Sequence, residues 1–126
     1  MAYLDSIVST QGPFDGMVGY SQGGAMTVLY AAQRPLSFIV TFCGYLTTTH
    51  TGLLDIVTEN SPFATPAFFF AGSVDYTVPP NTVKQAQSHF NNSIFSVGAD
   101  IGHAVPTTGA SFDAAVAFIL GHVAGR

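Results

Sequence analysis

The sequence contains one cysteine, no tryptophan and three cationic side chains among 126 residues. The lone Cys43 cannot close an intrachain disulfide, and its place in the apolar run Phe38-Ile39-Val40-Thr41-Phe42-Cys43 reads as a small buried hydrophobe rather than a reactive thiol. Arg34, Lys84 and Arg126 are its whole positive charge, so a phosphate backbone finds little to hold and nucleic acid is not an expected partner. Charged residues of both signs make up 8% of the chain, against roughly 25% in an average domain. A surface so poor in charge is either a neutral face of Ser, Thr, Asn and Gln, or a face covered by another chain or segment. No stretch approaches the roughly 20 apolar residues that cross a bilayer. The Met1-Ala2-Tyr3-Leu4-Asp5 start lacks the basic region and apolar core of a secretory signal, so the expected setting is cytoplasmic. No two of the four histidines stand at metal-ligand spacing, and no metal site is expected.

What is present is a hydrophobic content of 48% and 13 glycines, enough for one modest core; residues 1–126 read as one domain. Leu4, Ile7 and Val8 fall at helical spacing before Gly12-Pro13. Phe14 to Gly19 reads as a strand, followed by a helix with Met26, Val28, Leu29 and Ala32 that stops near Arg34-Pro35. Residues 37–44 and 67–71 are almost continuously apolar, as strands covered on both faces must be. Between them, residues 46–66 are Thr-rich but carry Leu53, Leu54, Ile56 and Phe63, an excursion over the sheet with some helix in it. Pro79-Pro80 opens a helix with Val83, Ala86 and Phe90 on one face, and residues 93–97 form a fourth strand. The last helix is expected from Pro106-Thr107, with Phe112, Val116, Ile119, Leu120 and Val123 on its apolar face. Strand and helix alternating in this order give an α/β fold of about four parallel strands with helices on both faces.

Chemistry concentrates in Gly19-Tyr20-Ser21-Gln22-Gly23, set between a strand and a helix. A turn of this kind lifts a serine hydroxyl above the end of a parallel sheet as a nucleophile, with the next residue's N–H, that of Gln22, as one oxyanion donor. Gly19 and Gly23 are expected where a side chain would collide, and Gly24 where the helix packs close to its strand. The plainer alternative, that Ser21 only caps the helix, is less favoured because matching partners follow downstream. A serine nucleophile needs a general base and a carboxylate to fix that base. Asp75 follows the Phe68-Phe69-Phe70 strand through Gly72-Ser73-Val74, and His103 follows the last strand, so all three leave strand ends. Asp100 is the rival acid, three residues before His103. With neighbouring strands about 4.8 Å apart, the His103 loop has to fold back across roughly three strands. His50, His89 and His122 read as surface or satisfied histidines, and Asp55 and Glu59 as solvated.

With Phe14-Asp15-Gly16, Gly19-Tyr20-Ser21-Gln22-Gly23-Gly24, Gly72-Ser73-Val74-Asp75-Tyr76-Thr77-Val78-Pro79 and Gly102-His103-Ala104-Val105-Pro106, the chain resembles the FSH-type serine hydrolases of the α/β-hydrolase superfamily. It is also similar to acyl-protein thioesterases and related carboxylesterases. The resemblance implies Ser21 as nucleophile, Asp75 as acid, His103 as base, carboxylic esters or thioesters as substrates, and no cofactor. Family members carry several strands before the nucleophile strand, one of whose turns gives a second oxyanion donor; here that donor has no visible source. The expected fold is therefore a partial α/β-hydrolase fold whose nucleophile strand has a bare edge. That edge fits a second copy, a separately encoded N-terminal partner, or a truncated product that folds poorly. The excursion is expected to wall a substrate pocket through Leu53 and Leu54. The rival to a hydrolase is a noncatalytic remnant or binding module. A nucleotide-binding domain is weaker, because the glycine-rich turn matches neither phosphate-binding pattern.

Overall fold

Four apolar segments form the sheet of the computed structural model, which describes residues 2–123. They are β1 (Gly16–Tyr20), β2 (Phe38–Phe42), β3 (Ala67–Gly72) and β4 (Ser93–Gly98), all parallel and side by side in chain order. Five helices frame them: α1 (Ala2–Gln11), α2 (Gln22–Gln33), α3 (Thr51–Asn60), α4 (Pro80–Gln87) and α5 (Ala110–His122). Among the described residues no helix is long and apolar enough to cross a membrane.

Strand alternation divides the core in two. Ile39, Ala67, Phe69 and Ala71 face Val28 and Leu29 of α2, Val57 of α3, and Val83 and Ala86 of α4. Phe38, Val40, Phe42, Phe68 and Phe70 face Ala115 and Phe118 of α5. All of β2 and β3 is buried, which is why both read as unbroken apolar runs. β1 lies at one edge of the sheet and is only half covered, with Met17 against the α2 layer but Val18 54% exposed. The α1 helix buries no residue and is fastened through Asp5, whose carboxylate accepts from Arg34 Nε at 3.1 Å and Nη2 at 3.0 Å.

Two sequence expectations need correction. The last helix starts at Ala110, not at Pro106-Thr107, because residues 104–109 return the chain from the far side of the sheet and Gly109 precedes the helix at φ 93°. Its buried face is Ser111, Ala115 and Phe118, whereas Phe112, Val116 and Leu120 are 37–45% exposed. This helix is apolar nearly all round, so periodicity could not single out the face that meets the sheet. Phe90 also lies beyond the end of α4; it is buried by pairing with Phe63, their rings 5.2 Å apart.

Candidate active site

The turn after β1 is forced by close packing. Ser21 takes φ 52° and ψ −115°, a strained conformation for a non-glycine residue, as the strand reverses directly into α2. A Cβ at Gly19 would collide with the Gly23 carbonyl and the Thr27 hydroxyl, so the tight approach falls there. The expectation for Gly23 does not hold: its Cβ direction opens to solvent and would meet nothing within 4 Å. Gly24 packs α2 onto the end of β2, where an added Cβ would stand 2.8 Å from Gly44 Cα. Ser21 makes no side-chain cap bond to its helix. Gln22 is the first residue of that helix and the first intrahelical bond comes from Ala25 N–H to Ser21 O at 3.0 Å, which leaves the Gln22 N–H unused within the helix.

Asp75 sits in the turn after β3 and is 2% exposed. Its Oδ1 accepts from the Thr77 and Val78 N–H groups, both at 2.9 Å, and its Oδ2 lies 2.8 Å from His103 Nδ1. Burial alone would raise this carboxyl; the Val78 N–H, the His103 ring and the Thr77 N–H together outweigh it and hold the group below the usual carboxylate range. A carboxylate facing Nδ1 fixes the proton there, so Nε2 is left as the acceptor. Ser21 Oγ lies 2.9 Å from Nε2 and donates to it. Serine, histidine and aspartate thus form one unbroken hydrogen-bonded chain. Asp100, the rival acid, is exposed at φ 59°, and its backbone N–H donates to Ser73 Oγ at 2.8 Å.

The other histidines are engaged elsewhere. His50 Nδ1 caps α3 by accepting from Leu53 N–H at 3.2 Å, His89 Nδ1 is 3.0 Å from Ser61 Oγ, and His122 Nδ1 is 2.8 Å from Phe118 O. Asp55 and Glu59 are exposed. Among the described residues one trio, Cys43, Asp75 and His103, brings potential metal-ligand atoms within 4.8 Å of one another. Two of those atoms are already bonded to each other, and burial pushes the Cys43 thiol up to about 11, away from the thiolate a metal needs.

A cavity of about 320 Å³ opens at Ser21, lined by Tyr45, Leu46, Thr48, Val78 and Gln85 among others. Tyr45 and Thr48 also line a second cavity of about 360 Å³, bordered by Gln22, Met26 and Leu29. The excursion residues divide between roles that composition does not reveal. Leu53 borders the second cavity rather than the one at Ser21, and both Leu53 and Leu54 pack against the core on the α2 side. Successive helical residues point about 100° apart, so one short helix cannot turn both leucines fully into one pocket.

Solved structures share this architecture. Zea mays acyl-protein thioesterase 2 superposes with a TM-score of 0.74 at 18% identity, over 96% of this chain and 62% of that one. Acetyl xylan esterase 1 from Thermoanaerobacterium sp. JW/SL YS485 gives a TM-score of 0.71 at 20% identity, over 95% of this chain and 50% of that one. In sequence, esterase OVCA2 of Mus musculus is 28% identical over 120 residues, which is 89% of this chain and 51% of that protein. Its Xenopus tropicalis counterpart is 27% identical over 117 residues, 83% of this chain and 48% of that one. The chain therefore spans about half the length of both relatives. The family described as serine hydrolase (FSH1) matches residues 1–115, a stretch that contains the Ser21 turn, the Asp75 turn and the His103 loop, and it is to this family that the chain belongs.

Proposed function

We propose that this chain bears the catalytic triad of an esterase or thioesterase, with Ser21 as nucleophile, His103 as general base and Asp75 as its orienting acid. One observation carries the reading: the continuous contact from Ser21 Oγ to His103 Nε2 at 2.9 Å and from His103 Nδ1 to Asp75 Oδ2 at 2.8 Å. In this mechanism Nε2 takes the Ser21 proton while Oγ adds to the substrate carbonyl carbon, and the Asp75 carboxylate stabilises the imidazolium that results. The Gln22 N–H, at the positive end of α2, faces the developing oxyanion. Collapse of the adduct expels the alcohol or thiol, which leaves with the proton from Nε2. Water then adds to the acyl-serine by the same route and releases the acid.

The pocket supports a neutral acyl group. Its walls pair threonines with Leu46 and Val78 and include no charged side chain. Two of the cations are occupied elsewhere, Arg34 on Asp5 and Lys84 over the Phe95 ring at 5.9 Å. The test is a fluorophosphonate followed by intact mass, beside turnover of a short p-nitrophenyl ester. Wild type is expected to gain one adduct that Ser21→Ala lacks, and Ser21→Ala and His103→Ala to lose nearly all turnover. An unlabelled wild type, or equal turnover in Ser21→Ala, would overturn the esterase reading.

A further inference from the structure

The loop bearing His103 leaves β4 at one edge of the sheet, yet its ring reaches Ser21 at the end of β1, the opposite edge. Its early part is tied to the neighbouring turn by Val74 N–H donating to Ile101 O at 3.1 Å. Past that point two consecutive carbonyls are held by side chains from the far strands. Tyr20 donates its hydroxyl to His103 O at 2.7 Å, and Cys43 its thiol to Ala104 O at 3.7 Å.

These two residues stand where the loop has to land. Tyr20 ends β1 and Cys43 immediately follows β2, at φ 56°, a left-handed conformation for a non-glycine residue. The Tyr20 ring also lies 5.2 Å, centroid to centroid, from the His103 ring. Cys43 Sγ is fully buried and within 4.8 Å of both an Asp75 oxygen and a His103 ring nitrogen.

We infer that Tyr20 and Cys43 are positioning residues that clamp the backbone at His103 and Ala104, so that the imidazole spans the gap between Asp75 and Ser21. The inference rests on the triad proposed above. A loop that crosses the whole sheet has many ways to set its histidine slightly off, and a misplacement of about 1 Å can cost on the order of 10²-fold in rate. Two donors on adjacent carbonyls fix the backbone at the residue that matters. Among the described residues neither side chain hydrogen-bonds Ser21 Oγ or His103 Nε2, although the Cys43 thiol also lies against the Asp75 carboxylate.

The test compares Tyr20→Phe, Cys43→Ala and Cys43→Ser by kcat and KM, and by the NMR signal of the His103 Nδ1 proton, which reports the bond to Asp75 whether or not the protein turns over. Tyr20→Phe keeps the ring and removes only the hydroxyl. Tyr20→Phe and Cys43→Ala are each expected to lower kcat by about 10- to 100-fold with KM little changed, and to broaden the Nδ1 proton through faster exchange with water. Cys43→Ser, which retains a donor, is expected to recover most of both. Unchanged kcat and an unchanged Nδ1 signal in both Tyr20→Phe and Cys43→Ala would overturn the inference. Equal losses in Cys43→Ser and Cys43→Ala would also do so, since they would trace to packing and not to the donor. Failure of wild type to label with fluorophosphonate would instead sink the triad proposal, and the Nδ1 proton would still report on the clamp.

Discussion

Asp75 ties the His103 ring to the turn after β3. Its carboxylate gives one oxygen to two backbone N–H groups and the other to His103, so Asp75→Asn changes the imidazole tautomer without emptying the site. Turnover is expected to fall by roughly 10⁴, as when a triad aspartate is lost in other serine hydrolases, while Asp100→Asn, at an exposed position, is expected to be mild. Steady-state kinetics of the two variants check this, and reversed severities would transfer the role to Asp100. Because folding lowers the Asp75 pKa, its stabilising contribution is complete above the unfolded carboxylate range and is lost as pH falls through the lowered native value. The stability gap between wild type and Asp75→Asn in urea titrations is therefore expected to narrow as pH drops across that window. Ser21, Asp75 and His103 are legible from sequence because residue type, order and strand-end position all agree. Tyr20 and Cys43 are not: one fills the variable place in the Gly-x-Ser-x-Gly turn, the other looks like ordinary core. Their partners are main-chain carbonyls 83 and 61 residues away, which no local pattern encodes.

Among the elements, β3 carries the greatest packing load. Phe68 and Phe70 fill the α5 side while Phe69 fills the other, and all three are fully buried. Phe69→Ala is expected to cost about 3–5 kcal/mol, measured as a lower urea midpoint with unchanged slope. The two central strands can be read from sequence because burial on both faces leaves an unbroken apolar run; β2 falls within the stretch expected for it, and β3 runs one residue past its own, to Gly72. The face of α5 is not readable, since Phe112, Val116 and Leu120 are as apolar as the residues that do touch the sheet. Leu53 and Leu54 escape a sequence reading for a related reason: a leucine in an excursion can serve core or pocket equally well by composition. Tyr45 gives the sharper handle on substrate choice, because it lines both cavities, of about 320 and 360 Å³. Tyr45→Ala is expected to join them and to move preference toward longer acyl chains by about 1–3 kcal/mol for each further methylene that the enlarged pocket buries. An unchanged chain-length profile would place the acyl site elsewhere.

For the whole molecule, the dominant feature is an open side. The outer edge of β1 pairs with no strand among the described residues, and Phe14, Val18 and Tyr20 are 41–54% exposed beside it. Phe112 and Val116 of α5 add further exposed apolar surface. With few charges to keep copies apart, the purified chain has only itself to cover this surface, and light scattering is expected to show self-association. The backbone indicates which substitution tests the edge. Ser21 N–H donates to Phe42 O and Asp15 O accepts from Ser37 N–H, so the odd residues of β1 bond to β2 and the N–H of Val18 points outward. Val18→Pro is thus expected to restore a monomer without breaking the sheet, and a monomeric wild type would refute association at this edge. The resemblance to hydrolases that carry further strands before the nucleophile strand anticipates the open edge, whereas the exposed apolar residues of α5 are not anticipated. The placement of Ser21 and His103 at opposite edges also bears on synthesis. As the nascent chain lengthens, the serine turn is complete early, but its hydroxyl has no acceptor until residue 103 has emerged and all four strands stand in order. On the proposed mechanism a half-made or misfolded copy holds an ordinary alcohol, and only the finished sheet completes its hydrogen-bonded path to Asp75.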